Sequence, residues 1–161
     1  MSYCTIFVDH KIKTTVILLT QGGRGGDRRK RGAEFEAAMK WWGFDYEILN
    51  FPDLELVFTD LRVMVERVMG LVEDRRLTTL VSFDPREVTY GFDHPDHNRT
   101  GEVTRVVSTM MGGTRGLWLW RSRGRASLVD ERVEYARRFY RSQKIPRAVL
   151  KQIGESYLKV R

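Results

Sequence analysis

The chain has 161 residues and a formal charge of +7, from 28 Lys and Arg against 21 Asp and Glu. With 42% hydrophobic and 30% charged residues it has the balance of one globular domain spanning residues 1–161, which excludes disorder, collagen and low-complexity repeats. The charge is uneven, with 13 Lys and Arg against four Asp and Glu in residues 115–161, so the basic helical part from about residue 127 suits either a solvated helical surface or an anionic partner.

In chain order, residues 14–20 (TTVILLT) form a β-branched apolar run that predicts a strand buried on both faces, as in a parallel sheet. Residues 22–31 (GGRGGDRRKR) read as a mobile loop leading into a helix, although the four basic residues Arg28 to Arg31 would also suit RNA binding or nuclear import. A helix follows over residues 33–42 and stops at Gly43. Residues 45–51 predict a second strand. Thr59 is placed to cap a helix reaching Asp74, with Leu61, Met64, Val65, Val68, Leu71 and Val72 on its apolar face.

Residues 77–83 (LTTLVSF) predict a third strand, residues 100–110 a helix, and residues 117–120 (LWLW) a further strand. Ser127 with Asp130 resembles a capping box for a helix reaching Arg141. Pro146 suits the first turn of a last helix whose buried stripe is Val149, Ile153 and Tyr157. Strands alternating with helices predict an α/β fold, a mostly parallel sheet with helices on both faces.

No apolar run approaches the ~20 residues of a membrane span. The N-terminal residues carry no basic segment followed by an apolar one, so the expected compartment is the cytoplasm. The single cysteine, Cys4, excludes an intramolecular disulfide and a Cys-rich zinc site.

The chemistry concentrates after the third strand, in Asp84-Pro85 and then Tyr90-Gly91-Phe92-Asp93-His94-Pro95-Asp96-His97. Two of the three histidines stand three residues apart, interleaved with carboxylates. Imidazole and carboxylate are the ligands of catalytic zinc. Ligands of open α/β sheets bind beyond the carboxyl ends of the strands. The same residues also suit a plain helix-capping turn, since Asp caps well and Pro fits a first turn.

Four stretches and a short ending together resemble the PIG-L/LmbE family of zinc-dependent N-deacetylases, a Rossmann-like fold. Residues 14–22 (TTVILLTQG) are similar to the family's second strand, residues 31–43 (RGAEFEAAMKWWG) to its R-x-x-E helix, and Phe51-Pro52-Asp53 to the segment after its third strand. Residues 82–97 (SFDPREVTYGFDHPDH) resemble the family's DP-loop-HPDH motif, and Tyr140-Arg141-Ser142-Gln143 its helical x-S-Q ending. The resemblance implies amide hydrolysis on an N-acetylglucosamine-like sugar or glycoconjugate, by water activated on zinc. It makes His97 a zinc ligand, with Asp93 a lesser candidate. It makes His94 the oxyanion-stabilising imidazole, Asp96 the residue that orients or charge-balances the site, and Tyr90 a group polarising the substrate carbonyl. Arg31 and Asp53 match positions that contact sugar hydroxyls.

The family's first strand ends in AHPDDE, which supplies further metal ligands and a general base. This chain has no such motif, and only 13 residues precede residue 14. The expectation is therefore an N-terminally truncated version of the fold with half its zinc site. Asp9-His10 is too close to the next strand for a parallel crossover, which needs a dozen or so residues. Three readings follow: a deacetylase, with missing ligands supplied by another subunit in a homo-oligomer; an inactive sugar-binding or scaffold relative; and a nucleic-acid binder using Trp118, Trp120 and Arg121, Arg123 and Arg125. The tryptophans alternate with leucines as in a half-buried strand, which disfavours the nucleic-acid reading.

Overall fold

The computed structural model describes residues 7–8, 10–86, 94–112, 116–121, 134–135, 137–143 and 156–160. The chain divides into two compact units, residues 1–53 with 126–152 and residues 54–125 with 153–161.

In the first unit, strand β1 (Thr15–Leu18) pairs in parallel with β2 (Asp45–Ile48), Thr15 opposite Asp45 and Leu18 opposite Ile48. Helix α1 (Arg28–Trp42) is the crossover between them. Its start corrects the sequence expectation, because Arg28 to Arg31 form its first turn and not a mobile loop. The Asp27 side chain accepts hydrogen bonds from the backbone N–H of Arg29 and Lys30. A carboxylate there offsets the cost of four cations at the positive end of the helix dipole. Gly43 ends the helix at φ 68°, returning its N–H to Met39 and Lys40. Phe35, Ala38 and Met39 recur at helical spacing and bury one face of α1 against Phe44 and Phe139, with Trp42 and Tyr135 packed around them. Each large side chain buried in this way contributes roughly 1.5–3 kcal/mol.

The second unit contains a 3-10 turn (Leu56–Phe58), helix α2 (Leu61–Asp74), strand β3 (Thr79–Phe83), helix α3 (Pro95–Met110), and strands β4 (Gly116–Arg121) and β5 (Ser156–Val160). Strand β4 lies between β3, its parallel partner, and β5, which is antiparallel to it. Asp60 caps α2, accepting from the Arg62 N–H, whereas the Thr59 hydroxyl donates to the Glu55 carbonyl. The expected face of α2 is buried at Met64, Val65, Val68 and Val72. Leu117 and Leu119 of β4 are buried, and Trp118 and Trp120 are half-buried on the other face.

Helix α3 starts at Pro95, earlier than the apolar pattern indicated, because its first turn is polar and proline is pre-set for that position. Gly101 lets it lie close to β3: a Cβ there would stand 2.3 Å from the Phe83 carbonyl oxygen. The last predicted helix also needs correcting. Tyr157 lies in β5, opposite Trp120, because the SYLKV run can satisfy its backbone along the free edge of β4. Residues 7 and 8 are helical. Cys4, the capping pair Ser127 and Asp130, and Val149 and Ile153 lie outside the described residues. Among the described residues, no helix is long and apolar enough to cross a membrane.

Candidate functional site

The HPDH segment forms the N-terminus of α3, where the chain returns from the carboxyl end of β3. His94 is the N-cap, with extended backbone at φ −96° and ψ 108°, and its imidazole makes no capping hydrogen bond. Its carbonyl accepts from the N–H of His97 at 2.8 Å, which closes the turn. Pro95 fills the first helical position, so Asp96 and His97 complete the first turn.

A row of rings builds the wall of the site. Trp120 meets Phe83 edge-on at 5.6 Å, and Phe83 lies flat on His97 at 4.1 Å with 3° between the planes. His94 follows at 4.7 Å from His97. Desolvation, with Phe83 covering one ring face, pushes the His97 pKa down to about 4; the neighbouring His94 adds to this and Asp96 opposes it. The residue as a whole is exposed, so water at its open edge moderates the effect. His97 is therefore neutral at physiological pH, with a lone pair to offer. Among the described residues the Nδ1 of His94 is buried with no hydrogen-bond partner, a costly state that points to a role beyond packing.

Asp96 is 4% exposed. Its two oxygens accept from the backbone N–H of Leu54 at 2.7 Å and of Leu56 at 3.2 Å. This carboxylate is thus committed to the backbone that leads into the 3-10 turn. Three residues on, Arg99 donates to the Thr59 carbonyl at 3.1 Å and pairs with Glu102 at 2.7 Å. Nothing in the local sequence marked the contacts to Leu54, Leu56 and Thr59, because these partners lie about 40 positions upstream. Asp84 is also buried, and one of its oxygens accepts from the Arg86 N–H, fixing the first turn after β3.

Arg31 and Asp53 belong to the first unit, where both meet the loop after β1. Arg31 donates to the Gly22 carbonyl at 2.7 Å. Asp53 accepts from the Thr20 hydroxyl at 3.2 Å and the Arg24 N–H at 3.0 Å. The R-x-x-E and x-S-Q stretches also meet there: Glu34 accepts from the Ser142 N–H at 2.9 Å and from its hydroxyl at 2.6 Å. Glu34 was visible in the sequence only as part of a motif, and the contact shows it docking the turn of residues 141–143. Tyr90, Asp93 and Asp9 lie outside the described residues. His10 is exposed in a turn of the first unit.

Catalytic zinc usually takes three protein ligands and a water. Neutral His97 suits one of them, and Asp96 is occupied by backbone amides. Among the described residues no group of three or more His, Cys, Asp or Glu side chains is placed to hold a metal ion. These donors therefore do not fit a resident zinc.

The fold is that of a de-N-acetylase-type α/β domain. The sequence profile of the PIG-L family, described as GlcNAc-PI de-N-acetylase, matches residues 3–108, well over half of the chain, and the chain belongs to that family. No curated protein matches it by sequence. Among solved structures, it is similar to the N,N'-diacetylchitobiose deacetylase from Pyrococcus horikoshii in complex with its inhibitor MPG, with a TM-score of 0.71 at 17% identity over 91% of this chain and 65% of that one. A second similar structure is the conserved protein TT1542 from Thermus thermophilus, with a TM-score of 0.70 at 19% identity over 93% of this chain and 76% of that one. The third is Dbv21, the A40926 pseudoaglycone deacetylase, with a TM-score of 0.57 at 18% identity over 91% of this chain and 74% of that one. This chain thus spans somewhat less than two-thirds of the length of the first of them.

Proposed function

We propose that this chain hydrolyses the acetyl amide of an N-acetylated amino sugar or its glycoconjugate. Water adds to the acyl carbon, the C–N bond breaks, and the amine leaves carrying a proton while acetate is released. The observation that carries this reading is His94. It stands on the first turn of α3 beyond the carboxyl end of β3, with a ring that makes no cap and a buried nitrogen that has no partner among the described residues. An imidazole N–H aimed at the acyl oxygen stabilises the charge that develops there. His97, held flat on Phe83, fixes the direction of that first turn. Arg31 and Asp53 are proposed to contact sugar hydroxyls, and Tyr90 the acyl oxygen. No step is assigned to a metal.

The test is amine release from a panel of N-acetylglucosamine compounds with excess zinc present. His94→Ala is expected to lower turnover by about 100-fold or more, the usual loss for one oxyanion donor. No turnover by the unmodified chain across the panel would end the hydrolase reading. The incomplete donor set favours a second reading, a sugar-binding relative without catalysis. It predicts saturable sugar binding that a chelator does not change, and no amine release.

A further inference from the structure

We propose that Trp120 is a positioning residue of the candidate site: through Phe83, its ring sets the direction of the His97 and His94 imidazoles. Its role in turnover rests on the deacetylase reading. Trp120 belongs to none of the stretches that resemble the family, and its sequence context is the leucine–tryptophan alternation of a half-buried strand.

Trp120 holds the end of β3 by two separate contacts. Its carbonyl accepts from the Asp84 N–H at 2.9 Å, which carries the pairing of β3 with β4 one residue past Phe83. Its ring meets Phe83 edge-on at 5.6 Å, a geometry in which the positive rim of one ring faces the negative face of the other. Phe83 lies flat on His97 at 4.1 Å, and His97 stacks on His94 at 4.7 Å. The row therefore runs from β4 through β3 to the first turn of α3, ring against ring.

Two observations separate this row from ordinary core packing. Leu117 and Leu119, on the other face of β4, supply the buried residues of the strand, and Trp120 is left half-buried. The His94 imidazole makes no capping bond, and its Nδ1 has no partner among the described residues, so ring contact is what fixes its direction. Stacking orients an imidazole without occupying either nitrogen. A donor aimed at a developing charge needs that direction set before the substrate arrives. Trp118 offers a control within the same strand. It lies on the same face, two residues away, but the Lys159 ammonium sits over its ring at 5.6 Å.

The chain has three histidines, so proton–carbon spectra of the imidazoles contain three ε1 signals, assigned by His94→Gln and His97→Gln, with exposed His10 as the reference. At about pH 8, above the ordinary histidine range, changes in protonation do not contribute. Trp120→Leu should displace the His97 and His94 signals and leave that of His10. Trp120→Phe, which keeps an aromatic ring, should hold them near their parent positions. Trp120→Val, suited to a strand, serves in place of the leucine variant if that chain does not fold. Trp118→Leu should move none of the three. In turnover, Trp120→Leu should lower kcat by about 10–100-fold at unchanged KM, the scale of loss from a misplacement of about an ångström. His94 and His97 signals that stay in place in Trp120→Leu, or that move as far in Trp118→Leu, overturn the proposal. So does a kcat that keeps its parent value. Absence of turnover in the unmodified chain ends the hydrolase reading and any role of Trp120 in it. That failure is distinct, because the signals are read without substrate and show on their own whether Trp120 sets the imidazoles.

Discussion

Asp96 holds the backbone at Leu54 and Leu56, a contact that substitution can test. The resemblance implies that it orients or charge-balances the site, and in the structure its oxygens lie on the Leu54 and Leu56 amides. Asp96→Ala would strand the buried Leu56 N–H and the part-buried Leu54 N–H, and leaving a buried donor unpaired costs about 1–3 kcal/mol, less where water reaches it. A loss of about 3 kcal/mol is expected in urea unfolding, with a smaller loss for Asp96→Asn, whose amide oxygen still accepts. An Asp96→Ala chain as stable as the parent would show that the clamp is not formed in solution. His97 gives a prediction of opposite character. Its folded pKa, about 4, lies below the ordinary 6.5. Between those values the unfolded chain binds the extra proton, so stability falls as pH is lowered through that window and is unaffected above it. Thermal unfolding in the presence of chelator should show the decline, reduced because the ring edge is wet, and His97→Gln should flatten it. The HPDH pattern was legible because its residue types announce their chemistry. The partners of Asp96 and Arg99 were not, because a contact across 40 residues leaves no local trace.

At the scale of elements, the cores of both units were readable wherever apolar residues recur at helical or strand spacing, as in α2 and β4. The two misplaced helix starts have a common cause, polar or basic first turns. Arg28 to Arg31 looked like a loop until Asp27 was seen to cap them, and the first turn of α3 has no apolar stripe to reveal it. The structure also assigns Gly101 a role that its sequence position did not disclose. Helix α3 lies on β3 so closely that a Cβ at Gly101 would meet the Phe83 carbonyl oxygen at 2.3 Å, and backbone cannot yield as a flexible side chain does. Gly101→Ala should therefore destabilise the chain by about 2–4 kcal/mol despite alanine's better helix propensity. Displacing α3 would also move the His94 turn, so activity should fall further than the folded fraction does. Circular dichroism against temperature, with turnover measured on the same samples, separates the two effects. A variant as stable as the parent would mean that α3 and β3 are not packed this tightly.

For the whole molecule, strand–helix alternation was enough to read an α/β fold, and the DP-loop-HPDH stretch was enough to read the family. The division of the strands into a parallel pair and a three-stranded mixed sheet was not legible, because β5 is short and pairs with a strand about 40 residues away. The metal is where family and chain diverge most. The chain has three histidines and one cysteine, and the described donors reduce to the His94 and His97 imidazoles once Asp96 is spent. Two imidazoles hold zinc far more weakly than the three protein ligands of a catalytic site. After zinc loading and desalting, metal analysis should therefore find well under one zinc per chain. One zinc per chain that survives desalting and disappears in His97→Ala would contradict this. It would place the remaining ligands beyond the described residues or on a second copy. Sedimentation of the same samples distinguishes those sources, because ligands shared between copies make zinc retention rise with dimer concentration, whereas ligands from the same chain leave it independent of concentration.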